Sequence, residues 1–142
     1  MRKAVRLFAV FAVACVPVGC GGDGDDEGSF TLVTDIDFRN APYRGTFEVT
    51  EGADELGCSA GTFVDHNVAL WDVNKVLTCT DGERSGSFTI RFRPGPEGTV
   101  SPWQFWPGTG DFTWIYGGGD FSYYRGDRES SGVETLTGDV GF

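Results

Sequence analysis

From Phe30 onward, apolar and polar residues alternate with a period of two. Phe30, Leu32, Ile36 and Phe38 alternate with Thr31, Asp35 and Asp37. Tyr43, Gly45, Phe47 and Val49 alternate with Arg44, Thr46, Glu48 and Thr50, and Phe88, Ile90 and Phe92 with Thr89, Arg91 and Arg93. This pattern predicts strands with one buried and one wet face. Weaker strand patterns cover 61–65, 71–80, 99–106, 112–116, 119–125 and 133–142. Turn signals divide them: Glu51-Gly52, Asp81-Gly82, Pro94-Gly95-Pro96, Pro107-Gly108 and Gly126-Asp127. No segment carries a helical stripe, although 52–57 predicts a single helical turn.

A Gly-X-Phe triplet recurs at Gly28, Gly45, Gly61, Gly86, Gly110 and Gly119. The spacing is irregular, so it marks no solenoid repeat. Within a strand, glycine and the Phe two places on point to one face. Glycine permits a tight bend, and an aromatic ring can cover the bare backbone beside it. Short antiparallel strands with glycine bends and aromatic filling predict an all-β domain, a single small antiparallel β-barrel of about eight strands. A two-sheet β-sandwich is the alternative.

The stretch Gly108-Thr-Gly110-Asp-Phe112-Thr-Trp-Ile-Tyr-Gly117-Gly-Gly119-Asp-Phe121 resembles the Gly-X-Gly-X-Phe…Gly-X-Gly-X-Phe hairpin of the allene oxide cyclase and dirigent-like barrels. It spans 14 of 142 residues. The resemblance implies an eight-stranded antiparallel barrel with a largely apolar central cavity. It carries over fold and not activity, since no catalytic motif of the plant cyclases aligns here. The same barrel occurs in secreted bacterial proteins, which this chain looks closest to.

The N-terminal stretch breaks the period. Arg2, Lys3 and Arg6 precede an apolar run from Leu7 to Val18, then Gly19, Cys20 and an acidic, glycine-rich stretch. That order predicts a secretory signal. The run is too short for a helix across a bilayer core of ~30 Å. A small residue directly before a cysteine resembles the bacterial lipoprotein signal, in which the cysteine is acylated and becomes the new N-terminus. Cys20 is the expected lipidation site; Cys15, preceded by Ala12-Val13-Ala14, is a rival. Three regions are expected: a lipoprotein signal peptide at 1–19, a lipid-anchored flexible tether at 20–29 and the barrel at 30–142. The expected location is the cell envelope, facing the extracytoplasmic side.

Loss of residues 1–19 leaves 123 residues, enough for one domain. Basic residues fall from 11 to 8 against 21 acidic ones, so formal charge moves from −10 to −13. Such a chain repels nucleic acid and anionic headgroups, which excludes a nucleic-acid partner and a polybasic membrane-surface role. Cys58 and Cys79 are the cysteines left in the domain, and an exported location favours their disulfide. Closing that loop contributes about 3 kcal/mol in the chain-entropy picture. Buried free thiols or a reactive cysteine are the alternative.

Candidate chemistry is sparse. His66, the one histidine, reads as a residue at a strand end and not as part of a Ser-His-Asp triad. No metal site and no cofactor are expected. Gly21-Gly22-Asp23-Gly24-Asp25-Asp26 matches the opening of a calcium-binding nonapeptide once only, and reads as solvated tether. Asp35, Asp37 and Glu48 read as a wet outer face. Aromatic residues crowd 103–124, and Trp103, Phe105, Trp114 and Tyr116 are the candidate ligand contacts. The leading functional reading is a lipid-anchored, non-enzymatic module that binds an apolar or aromatic small molecule or a partner. A cyclase or isomerase acting on an apolar substrate, and a structural envelope protein, are the alternatives. The interior discriminates. Glu48, Glu134 or Tyr123 facing a true cavity would favour an enzyme, a cavity without such a group would favour binding, and a filled barrel a surface role.

Overall fold

The computed structural model describes residues 27–67, 72–128 and 130–142. Eight strands form one closed antiparallel barrel in chain order. They are β1 (Gly28–Asp37), β2 (Arg44–Glu51), β3 (Ala60–Asn67), β4 (Val73–Asp81), β5 (Ser87–Phe92), β6 (Ser101–Trp106), β7 (Tyr116–Arg125) and β8 (Ser131–Gly141). The long β1–β8 ladder, from Gly28↔Val140 to Asp37↔Ser131, closes the ring. Closure pairs both edges that an open sheet would leave exposed. The barrel reading therefore holds and the sandwich alternative does not.

Two of the Gly-X-Phe triplets, at Gly45 and Gly61, form a reciprocal pair. On the β2–β3 ladder Gly45 faces Phe63 and Phe47 faces Gly61. A Cβ placed on Gly61 would lie 2.5 Å from the Phe47 ring and 2.0 Å from the Thr78 carbonyl oxygen. Each ring lies over the bare backbone opposite it, and both phenylalanines are buried. Bend and filling thus come from the same cross-strand pair.

One half of the interior is solid. Phe30 stacks on Phe105 at 5.9 Å between ring centroids and meets Trp103 at 5.7 Å. Phe88 contacts Phe47, Phe105 and Phe112. A short helix, α1 (Ala53–Leu56), joins β2 to β3 and buries Leu56 in this half. The predicted helical turn at 52–57 is this element. The Cys58–Cys79 disulfide, with Cα atoms 5.9 Å apart, ties the segment after α1 to β4.

The expected strand at 112–116 is absent, and the resemblance segment is not a two-stranded hairpin. Gly110–Phe112 forms a 3-10 turn in the β6–β7 connection, and β7 begins only at Tyr116. Local hydrogen bonds decide this. Asp111 N–H donates to the Ser85 carbonyl at 2.9 Å and Thr109 N–H to the Ser87 carbonyl at 2.7 Å. Ser85 N–H donates in return to the Asp111 carboxylate at 2.8 Å, which holds that carboxyl below the usual carboxylate range. Gly110 has φ +60°, and a Cβ there would meet the Ser85 carbonyl oxygen at 2.5 Å. The connection is thereby pinned to the β4–β5 turn and inserts Phe112, fully buried, into the aromatic half.

Candidate functional site at the open end of the barrel

The other half of the barrel opens into a cavity of about 770 Å³. Its wall comes from Ile36 of β1, Phe38 just after that strand, Pro42 and Tyr43 before β2, Phe92 of β5, and Phe121 and Tyr123 of β7. Phe92 and Phe121 stack at 4.2 Å between centroids. His66 and Arg125 stand on the same cavity, and both are exposed. The volume lies within the range of about 300–1,000 Å³ usual for small-molecule pockets.

The cavity has a charged floor. Two cross-strand pairs point inward there: Asp65↔Lys75 on β3–β4 and Thr34↔Glu134 on β1–β8. Lys75 and Thr34 are fully buried, and Asp65 and Glu134 nearly so. Lys75 Nζ lies 2.7 Å from Asp65 Oδ1 and 2.8 Å from Glu134 Oε2. It also sits 3.6 Å from the centroid of the Phe63 ring. Thr34 Oγ1 donates to the same Glu134 oxygen. Asp65 and Glu134 border the cavity, with Lys75 behind them. Burial pushes the Asp65 carboxyl up to about 6; Lys75 opposes that shift and the Glu134 charge adds to it.

The sequence-predicted residues fall in three places. Trp103 and Phe105 are buried in the solid half, where the Trp103 indole N–H is shared between the Asp120 and Thr137 carbonyls. Trp114 is 82% exposed, and Tyr116 is exposed at the start of β7. None of the four borders the 770 Å³ cavity. Asp35 and Glu48 are exposed and Asp37 is held by Arg39, so that carboxylate row is an outer face as expected. Glu134 and Tyr123 do face the cavity, whereas Glu48 does not. Cys20 and Cys15 lie outside the described residues.

Asp65, Lys75 and Thr34 escaped the sequence reading. The signal was parity. Gly61, Phe63 and Asp65 share one strand face, as do Lys75 and Leu77, and Glu134 and Leu136. Inward parity would have placed all three ions inside the barrel.

The chain matches no family profile, and no curated protein matches it. Among solved structures it is similar to a pterocarpan synthase dirigent protein, GePTS1. The identity is 14%, the likeness covers 82% of this chain and 84% of that one, and the TM-score is 0.42.

Proposed function

We propose that this chain is an extracytoplasmic binding module, anchored by lipid on Cys20, that takes a small apolar or aromatic molecule into the open end of the barrel. The observation that carries the reading is the 770 Å³ aromatic-walled cavity over a buried polar floor. Apolar walls with a few fixed polar groups are the usual construction of a small-molecule site. The disulfide agrees with an oxidising compartment. Among the described residues no helix is long and apolar enough to cross a membrane. β1 starts at the solid end, so the expected 20–29 tether, whose last two residues open β1, leaves the cavity facing away from the anchored end.

Titration with N-phenylnaphthylamine, whose fluorescence rises in apolar surroundings, tests the binding reading. Saturable uptake that falls in Phe121→Ala, with the fold retained, is the expected result. No saturable uptake by the wild type would move the weight to a surface-interaction role. For the anchor, Cys20→Ala is expected to release the protein from the membrane or block its processing. An N-terminal peptide without lipid mass would reject that part.

A second reading, an enzyme of cyclase or isomerase type, draws on the ionisable groups at the cavity. Glu134, Tyr123 and Asp65 border it, and an acid titrating at about 6 can give or take a proton near neutral pH. Mass spectrometry of a bound compound after incubation separates the two readings. Recovery intact favours binding. An isomer formed by the wild type and not by Asp65→Asn favours the enzyme.

A further inference from the structure

The cavity floor offers hydrogen-bond acceptors and no matching donor. An ammonium has three N–H donors. Those of Lys75 are directed to Asp65 Oδ1, Glu134 Oε2 and the Phe63 ring. Among the described residues no donor meets the second oxygen of either carboxylate, Asp65 Oδ2 or Glu134 Oε1. Both residues border the cavity, although Asp65 is only 7% and Glu134 only 4% exposed. Two carboxylates against one ammonium leave the ionised floor one negative charge in excess.

Neither oxygen is sealed off without a partner, Asn74 Oδ1 being the side-chain atom in that state among the described residues; both open on the cavity, where a ligand supplying N–H groups can donate to them. The walls favour the same chemistry. Phe92, Phe121 and Tyr123 border the cavity above the floor, and ring faces attract cations. Arg125 and His66 oppose this from the rim, but both are exposed, where water and salt screen them.

We infer that the open end of the barrel selects a protonated organic amine with an aromatic or apolar body, its ammonium against Asp65 and Glu134 and its body against Phe92, Phe121 and Tyr123. This names the ligand class for the binding reading above and rests on it. A neutral alcohol of the same shape can donate one hydrogen bond but brings no charge. A carboxylate of the same shape meets the floor with repulsion.

Isothermal titration of the folded domain with phenethylamine, phenethyl alcohol and hydrocinnamate tests the inference. The amine is expected to bind tighter than the alcohol by about tenfold or more, the usual worth of a hydrogen bond to a charged group, and the acid more weakly than either. Glu134→Gln should reduce the amine's affinity by a similar factor and leave the alcohol's unchanged. Asp65→Asn serves the same purpose should Glu134→Gln fail to fold. An alcohol or acid that binds as tightly as the amine overturns the ligand class while the binding reading stands. Saturable heat from none of the three overturns both. An amine preference that survives both carboxylate substitutions overturns the assignment to this floor.

Discussion

Lys75 on β4 reaches Glu134 on β8 at 2.8 Å, across the barrel lumen between strands that do not pair. The contact links two cross-strand pairs, Asp65↔Lys75 and Thr34↔Glu134, into one polar layer. Below it the barrel is filled by aromatic rings, and above it the cavity opens. Three buried ions are an expensive floor, because desolvation offsets most of their attraction. Their position at the boundary between core and cavity is what links them to function.

The first prediction concerns Lys75. Lys75→Met leaves two carboxylates buried without their cation, so unfolding by denaturant should show a loss of about 3–5 kcal/mol. Replacing the layer together, with Lys75→Met, Asp65→Leu and Glu134→Met, should recover most of that loss. A single variant as stable as the wild type would show that the ions are well hydrated in the folded protein.

The second concerns pH. The Asp65 carboxyl titrates at about 6 when folded, against 3.8 for an ordinary aspartate. The folded state therefore holds the extra proton between these values. Its contribution is fully present below about pH 3.8 and is lost as pH rises to about 6, by a few kcal/mol at most. Asp37, Asp72 and Asp111 work the other way, since arginine and backbone partners lower them and their contribution fades in acid. The stability difference between wild type and Asp65→Asn should thus change between pH 4 and 6 and level off above. A difference independent of pH would contradict the raised Asp65 carboxyl.

The third separates Trp103 from ligand binding. Trp103 packs on Phe30 and Phe105 and donates its indole N–H to backbone. Trp103→Ala should cost about 3–5 kcal/mol, as large core truncations do. Probe affinity of the fraction that remains folded should not change. Weakened binding at unchanged stability would return Trp103 to the ligand site.

The fourth concerns Gly61. Its place for a Cβ is occupied by the Thr78 carbonyl and the Phe47 ring. Gly61→Val should destabilise by about 1–3 kcal/mol or prevent folding, as overpacked interiors do. Thermal melting checks this, with Thr62→Val, on the exposed face of the same strand, as the control.

The fifth concerns the bridge. Labelling of the unreduced, unfolded protein should find neither Cys58 nor Cys79 free. The double variant to alanine should lose about 3 kcal/mol in the chain-entropy picture.

The alternation through Phe30–Phe38, Tyr43–Val49 and Phe88–Phe92, with the Gly-X-Phe triplets, was enough to determine an all-β domain of about eight short strands and to favour a barrel, while only the β1–β8 ladder removed the sandwich. Period and glycine spacing are local properties, and every ladder but the closing β1–β8 one joins strands consecutive in the chain. The Cys58–Cys79 bridge was legible for a similar reason, being the one pair left in the domain. The segment 112–116 was not, because its fate depends on Ser85 and Ser87, which lie more than twenty residues away in sequence. The functional end was the least legible part. Trp103 and Phe105 alternate as a pocket lining would, yet parity says only which face is inward, not which end of the lumen is filled. Asp65, Lys75 and Glu134 lie on three different strands, two of them across the barrel from the third. Pairing of β3 with β4 joins Asp65 to Lys75, but only closure of the ring brings Glu134 within reach of Lys75, and only the rings packed beneath them make that layer a floor.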